Sequence, residues 1–252
     1  MKDVNLQENN EIAFLEKIIP DLKERKILEI GSGRGEFLTA MTAKGFDIVG
    51  IEPDSYKHEA IRINGEKAQV KVRALVVKGE DLPFASGAFD FVYCNNVIEH
   101  CHNPLRLMEE TRRVLKPQGL AYFTVINRFA FRDPHYHLNF LNWLPRFIAE
   151  RYIVLRGRSK KIDHPTESHN KLSEMHYFTF NGFKKIARRL GFETQDLKEY
   201  KIRHPELISA SGESAVNLVR ALPFIYYLAR LFYVSGFRLL LKKLELPEQI
   251  QH

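Results

Sequence analysis

Three glycines at alternate positions, directly after a short apolar run, constrain this chain more than any other feature. The stretch reads Ile27-Leu28-Glu29-Ile30-Gly31-Ser32-Gly33-Arg34-Gly35-Glu36-Phe37, a strand that turns into a helix. Glycine has no Cβ, so it tolerates φ > 0 and lets a ligand lie against the main chain. The free N–H groups of the following helix point to the same place. What the chain does therefore depends on which ligand this turn holds.

The surrounding pattern extends that strand-turn-helix unit. Residues 11–25 read as an amphipathic helix, with Ile12, Phe14, Leu15, Ile18 and Ile19 on one side. Strands are expected at Lys26–Ile30, Phe46–Ile51, Val70–Val77, Phe89–Cys94 and Leu120–Ile126. Helices are expected between them: one to about Lys44, stopped by Gly45; one capped by Ser55 and ending near Asn64-Gly65; and one over Pro104–Leu115, closed by Lys116-Pro117-Gln118-Gly119. Such alternation predicts an α/β fold, a doubly wound and mostly parallel sheet with helices on both faces. Beyond Asn127 the rhythm breaks. Asn181–Leu190 then reads as a helix, Gly191 ends it, and Phe192–Tyr200 reads as strand 6. The expected organisation is an N-terminal helix (1–25), a cofactor-binding core (26–127), an aromatic and basic insertion (128–176), a return to the core (177–200) and a C-terminal helical extension (201–252).

Two cofactor classes use a turn of this kind. Nicotinamide dinucleotides call for G-x-G-x-x-G, with the pyrophosphate on the helix N-terminus. Here the third glycine comes one position early, and Glu29 stands two residues before the first. An acid there repels a pyrophosphate and suits an ammonium group. S-adenosylmethionine carries that ammonium group and no phosphate. Glu52 lies 21 residues after Gly31, where a carboxylate accepts both ribose hydroxyls of either cofactor. In Gly79-Glu80-Asp81-Leu82-Pro83-Phe84, Asp81 can accept from an adenine amino group while Leu82 packs on the ring; the alternative for Asp81 is a loop acid or helix cap.

These segments, Ile27–Phe37, Ile48–Asp54, Gly79–Phe84, Phe89–His100 and Leu115–Thr124, resemble the successive motifs of class I S-adenosylmethionine-dependent methyltransferases. The nearest branch is the small-molecule one that includes the ubiquinone- and menaquinone-biosynthesis methyltransferases. The resemblance spans about residues 26–127, with an echo at His176–Phe192. It implies a Rossmann-like core in which Glu29, Gly31, Ser32, Gly33 and Gly35 line the methionine end of the cofactor. It further implies that Glu52 holds the ribose, Pro53 flanks the adenine, Asp81 and Leu82 hold the adenine edge, and Asn95 sits near the transferring methyl. The Glu99-His100 pair is typical of this branch and belongs to the floor of the site. The family closes its sheet with a seventh, antiparallel strand near the C-terminus. Leu207–Ala210 and Val216–Val219 are the candidates here. The apolar tail from Leu222 to Leu241 reads instead as an extra, weakly amphipathic helix, with Arg230, Ser235, Arg238 and Lys242 on one face.

The acceptor side is expected over 128–176 and the tail, above the carboxyl ends of the strands. Five of the ten histidines fall between His135 and His176. A hydroxyl nucleophile must lose its proton, and a histidine is the usual base. His135 and His137 are the first candidates and His176 the next, each weighed against a structural role. Asp133, His135 and His137 also have the makings of a metal site, but no fourth ligand is evident and no metal is expected. Phe140, Trp143 and Phe147 form either an aromatic wall or plain packing.

Charge separates the two halves. Residues 128–252 carry 21 Lys and Arg against 12 Asp and Glu, whereas residues 1–127 carry 17 against 19. Arg151, Arg156, Arg158, Lys160 and Lys161 form a basic run that suits a phosphate or uronate on the acceptor, or a lipid headgroup with the segment 222–243 lying on a membrane. Nucleic acid is disfavoured, because Cys94-Asn95-Asn96-Val97 lacks the Asn/Asp-Pro-Pro-aromatic tetrad of amino-directed nucleic-acid methyltransferases. Met1–Asn10 has no secretory signal, and Cys94 and Cys101 fit neither a disulfide framework nor a zinc knuckle, so a cytoplasmic location is expected. The expected activity is methyl transfer to a small, lipid-linked or nucleotide-linked acceptor, anionic or a glycan, at a hydroxyl oxygen. The alternatives are an NAD-dependent oxidoreductase and a non-catalytic scaffold that keeps the fold.

Overall fold

A computed structural model describes residues 2–158, 171–204, 223–232 and 234–245. The chain opens with α1 (Lys2–Ile18) and a short 3-10 turn (Leu22–Glu24). It continues through β1 (Lys26–Ile30), α2 (Glu36–Ala43), β2 (Asp47–Ile51), α3 (Lys57–Lys67), β3 (Ala74–Leu75), β4 (Phe89–Cys94), α4 (Pro104–Val114) and β5 (Leu115–Ile126). After the insertion, which contains α5 (Arg146–Leu155), come α6 (Phe180–Arg189), β6 (Phe192–Asp196), α7 (Leu197–Arg203), α8 (Pro223–Phe232) and β7 (Gly236–Lys243). The seven strands form one sheet in the order β3-β2-β1-β4-β5-β7-β6. β1 to β5 run parallel, and β7 lies antiparallel between β5 and β6. The fold is thus the doubly wound α/β sheet expected from the alternation of elements.

Residue alternation along the strands divides the core in two. Leu28, Ile30, Val92, Cys94, Phe123, Leu239 and Leu241 pack against α4 and α6. Ile27, Ile48, Phe91, Tyr93, Tyr122 and Leu240 pack against α1 and α2. The insertion has a third cluster of its own, built from Tyr136, Leu138, Leu141, Ala149, Ile153, Leu172, Met175 and Tyr177 around Ile126 at the end of β5.

Several expected elements are corrected. The N-terminal helix begins well before residue 11. Ser55 does not cap α3 with its side chain, and α3 continues through Gly65, where Val70 O would stand 3.0 Å from an added Cβ. Strand 3 shrinks to Ala74–Leu75 at the sheet edge. Lys116–Gly119 does not end α4 as a separate turn; it bulges from β5 between the Phe89/Leu115 and Phe91/Leu120 pairs, with Gln118 at φ +61°. Strand 6 stops at Asp196, whose carboxylate accepts from Lys198 N at 2.9 Å and Glu199 N at 3.4 Å and so starts α7. The largest correction is the tail. Residues 222–243 are not one helix: α8 ends at Phe232, and Gly236–Lys243 is the seventh strand. The candidates Leu207–Ala210 and Val216–Val219 lie outside the described residues.

Leu241 decides between the two readings of the tail. On the expected helix it would share the Arg230 and Arg238 face, whereas in β7 it is fully buried beside Ala121 and Thr194. Leu241→Ala is expected to destabilise the fold by about 2–5 kcal/mol, as core leucine truncations do. Urea unfolding measures it, and a loss within the range of surface substitutions would contradict the strand.

Candidate functional site

The glycine turn joins β1 to α2 at the carboxyl end of the sheet, beside the point where strand order reverses between β1 and β4. Ile51 O accepts from the N–H groups of Gly31 at 2.8 Å and Ser32 at 2.9 Å, so the turn is bound to the end of β2. Gly31 has φ +74°, and a Cβ there would lie 2.4 Å from Val97 Cγ2. At Gly33, φ +55°, a Cβ would meet nothing within 4 Å, so the backbone faces open space. Gly35 packs on Ile61, and Ser32 fits into the room left by Gly50.

Two buried acids flank this turn. The Glu52 carboxylate accepts from Gly33 N at 2.9 Å and Asp54 N at 3.1 Å, with the Lys57 ammonium at 3.5 Å. Glu29, paired with Tyr93 across β1 and β4, is equally buried, yet its Oε2 has no hydrogen-bond partner. Burial pushes the Glu29 carboxyl up to about 8 against the pull of the Ser32 hydroxyl, and the charges of Glu8, Glu36 and Glu52 add to the rise. Glu8 is itself raised by burial and by Glu36 and Glu11. Four acids thus converge around one open loop. Glu8 and Glu36 escaped the sequence reading: Glu36 in the first turn of α2 looks like an ordinary complement to the helix dipole, and Glu8 lies outside the residues given to the first helix.

The other expected cofactor residues lie at the ends of neighbouring strands. Pro53 is exposed just past β2, and Asn95 is half-buried just past β4. Asp81 is exposed, and its N–H bonds Lys78 O. Leu82 belongs to the α4 and α6 core, with its N–H on Glu110 Oε2 at 2.9 Å and its carbonyl accepting from Arg113 at 2.9 Å. The acids, the open glycines and these strand ends suit a cationic nucleoside such as S-adenosylmethionine. They do not suit a pyrophosphate.

Across the crevice, the insertion is organised by Asp133. Its fully buried carboxylate accepts from His135 N at 2.9 Å, Tyr136 N at 2.7 Å, Asn142 Nδ2 at 3.0 Å and the Tyr177 hydroxyl at 3.0 Å. Asp133 is therefore committed to holding the loop and is not available beside His135 and His137 as a metal ligand. His137 occupies a left-handed turn position at φ +57° and is exposed. The His135 ring meets the His100 ring at 5.1 Å, with planes at 67°. Glu99, His100 and His135 place one ligand atom each within 4.8 Å of one another, close enough to hold a metal ion. His176 joins through its backbone, its N–H donating to Glu99 O at 3.0 Å. The structure thus groups His135 with the Glu99-His100 pair and leaves His137 apart.

Arg146 completes this side. Its guanidinium lies 4.8 Å over the Tyr177 ring, and Nη1 is buried with no hydrogen-bond partner. Burial and the nearby Arg128 both lower its pKa. Arg146 was not among the sequence candidates, because it stands apart from the basic run. Of that run, Arg151, Arg156 and Arg158 are exposed, while Lys160 and Lys161 lie outside the described residues, as do the histidines His164 and His169.

Known proteins resemble this chain in sequence and in fold. The sequence matches the methyltransferase-domain family over residues 7–197. An uncharacterized methyltransferase of Mycolicibacterium vanbaalenii is 42% identical over 142 residues, which are 55% of this chain and 53% of that protein. A ubiquinone biosynthesis O-methyltransferase of Bordetella avium is 24% identical over 212 residues, 83% of this chain and 80% of that one. The chain spans from 37% to about half of the length of the first curated relatives it matches. Among solved structures, an S-adenosylmethionine-dependent methyltransferase from Mesorhizobium loti superposes with a TM-score of 0.56 at 14% identity, covering 93% of this chain and 98% of that one. That likeness is one of fold.

The state of Glu29 is testable without any ligand. Its carboxyl is raised from 4.5 to about 8, so the folded chain holds an extra proton within that window. Stability contributed by that proton is present at low pH and lost as pH rises through about 8. Glu29→Gln removes the dependence. Its melting temperature relative to the unmodified chain is expected to rise between about pH 5 and about pH 9. Parallel pH profiles for the two proteins would contradict the assignment.

Proposed function

The chain belongs to the methyltransferase-domain family, in its class I, S-adenosylmethionine-dependent form, and on that premise we propose that it methylates a hydroxyl group on a small or lipid-linked anionic acceptor. The observation that carries the cofactor assignment is Glu29, a buried carboxylate with one unpartnered oxygen beneath an open glycine backbone. An ammonium group satisfies it. A nicotinamide dinucleotide brings a pyrophosphate to the same four acids, which disfavours an oxidoreductase. A non-catalytic scaffold would have no use for an acid held at this cost.

Glu29 and the turn Gly31–Gly35 take the methionine end, Glu52 the ribose hydroxyls, Pro53 and Asp81 the adenine. Leu82 underlies the adenine side from the core, and Asn95 lies toward the transferring methyl. S-adenosylmethionine supplies an electrophilic methyl group on a sulfonium centre. The protein's own tasks are to align the nucleophile in line with it and to exclude water. His135 takes the hydroxyl proton, oriented by the Asp133-held loop and backed by His100 and Glu99. Sequence alone ranks His135 and His137 together and His176 after them; the ring contact with His100 supports His135. The relative named for ubiquinone O-methylation supports transfer to oxygen. Arg146 supports a phosphate or carboxylate on the acceptor, because its half-buried guanidinium, stacked on Tyr177, keeps one buried nitrogen, Nη1, without a hydrogen-bond partner until an anion meets it.

Three measurements test this. Calorimetric titration with S-adenosylhomocysteine near neutral pH is expected to release a proton from Glu29, seen as a binding enthalpy that varies with the buffer's ionisation enthalpy; Glu29→Gln abolishes that variation and weakens binding by about thirtyfold or more. No binding, or preferential binding of a nicotinamide dinucleotide, would overturn the cofactor assignment. With labelled S-adenosylmethionine, His135→Gln is expected to lower kcat by about 100-fold and leave cofactor affinity unchanged. Loss of activity on chelation, restored by a divalent cation, would instead give Glu99, His100 and His135 to a metal. Arg146→Gln is expected to raise KM for phosphorylated acceptors and leave neutral ones unaffected; no preference for anionic acceptors would exclude the charge recognition.

A further inference from the structure

α8 is built inside out. Its inward side chains are polar: the Tyr226 hydroxyl donates to Asp196 Oδ2 at 2.6 Å, and the Arg230 guanidinium bonds the same oxygen at 3.3 Å while lying 3.7 Å over the Phe180 ring. Its outward side chains are Phe224, Leu228, Leu231 and Phe232, all exposed. These positions recur three and four apart and share one face. A helix on a water-facing surface has the opposite arrangement.

The apolar surface continues beyond α8. The Phe232 ring meets Trp143 at 6.2 Å and Phe129 at 6.4 Å, and Trp143 meets Phe140 at 5.3 Å. α5 begins three residues after Trp143 and turns Phe147, Val154 and Leu155 to solvent, the last two 76% and 83% exposed. Arg151 falls on that same face, and the exposed Arg156 and Arg158 follow the end of the helix. Scattered exposed apolar residues are ordinary, but a connected aromatic ridge across two chain segments is a contact surface.

Charge identifies the partner. Between residues 128 and 158 the exposed charged residues are Arg132, Arg151, Arg156 and Arg158, and neither of the two acids there, Asp133 and Glu150, is exposed. Aromatic and aliphatic side chains interleaved with arginines, in a stretch (128–158) with no exposed acid, match an interface of acyl chains and anionic headgroups. Tryptophan favours that depth. Among the described residues no helix is long and apolar enough to cross a membrane, so the contact is along the surface. We infer that the face formed by α5, the Phe129–Phe140–Trp143 ridge and the outer side of α8 rests on an anionic lipid bilayer. This goes beyond the proposed function, since it holds whatever the acceptor.

Trp143 is the only tryptophan in the chain and lies on the ridge, so it reports the contact directly. The full chain would be mixed with vesicles of phosphatidylcholine alone and of phosphatidylcholine with an equal part of phosphatidylglycerol. The expected result is flotation with the anionic vesicles, a blue shift of Trp143 emission and its quenching by brominated lipid, all weakened by salt. Val154→Ser with Leu155→Ser is expected to lower partitioning by about tenfold, and Arg151→Glu with Arg158→Glu to abolish the preference for anionic vesicles. All four positions are exposed, so an unchanged melting temperature confirms that the variants fold. Emission and flotation unaffected by anionic vesicles at low salt would overturn the inference. So would emission already blue without lipid and unchanged by it, which would mean that another segment or a second copy covers the ridge. Calorimetry with S-adenosylhomocysteine reads the cofactor site separately, so either result leaves the methyl-transfer reading to its own test.

Discussion

Two buried carboxylates stand at the ends of adjacent strands, and their unequal hydrogen bonding sets the character of the site. Glu52 is satisfied by the backbone amides of Gly33 and Asp54, which ties the glycine turn to the end of β2. Glu29, one strand away, keeps an oxygen without a partner. A satisfied acid fixes geometry; an unsatisfied one stores affinity for a cation, because its ionised form is expensive in a dry environment until a positive charge arrives. Burial, rather than any single neighbour, is the largest cause of the rise at Glu29.

The acceptor side depends on a different kind of carboxylate. Asp133 gathers four donors from three stretches of the insertion, so residues without periodicity become a rigid wall. The wall is registered to the sheet by main-chain bonds: Phe178 N to Ile126 O at 3.0 Å, Arg128 N to Phe178 O at 2.9 Å, and His176 N to Glu99 O at 3.0 Å. The last of these brings the end of the insertion onto the turn after β4. The position of His135 relative to the glycine turn is therefore set by backbone hydrogen bonds and a buried acid, a more exact support than a flexible lid would provide.

Legibility in the sequence followed local chemistry. β1 and β4 read to the residue, since each is a short apolar run bounded by breakers. The glycine turn was readable because three glycines after an apolar run call for the positive φ that Gly31, Gly33 and Gly35 adopt. The start of α7 was readable as well: Asp196, three residues before Glu199, is a capping signal that the strand reading passed over. β7 was not readable by the same rules. Leu239 and Leu241 face one core and Leu240 the other, so a strand buried on both sides shows a continuous apolar run with no period of two. Arg146 and the pairing of His135 with His100 depend on chain segments distant in sequence, and no local pattern carries them.

The tail shows why apolar content alone misleads. Its leucines and aromatics divide between the interior of β7 and the outer side of α8, two environments that hydropathy cannot separate. What separates them is polar. Asp196 caps α7 with one oxygen and receives Tyr226 and Arg230 with the other, and the Asn127 amide donates to Arg230 O at 3.0 Å and Val234 O at 2.9 Å. Turning α8 over to bury Phe224 and Leu228 would take both partners from the second Asp196 oxygen, and a buried charge left half-satisfied costs more than a few exposed apolar side chains. The orientation of α8 is therefore dictated by its hydrogen-bonded inner side, and its apolar outer side is the consequence.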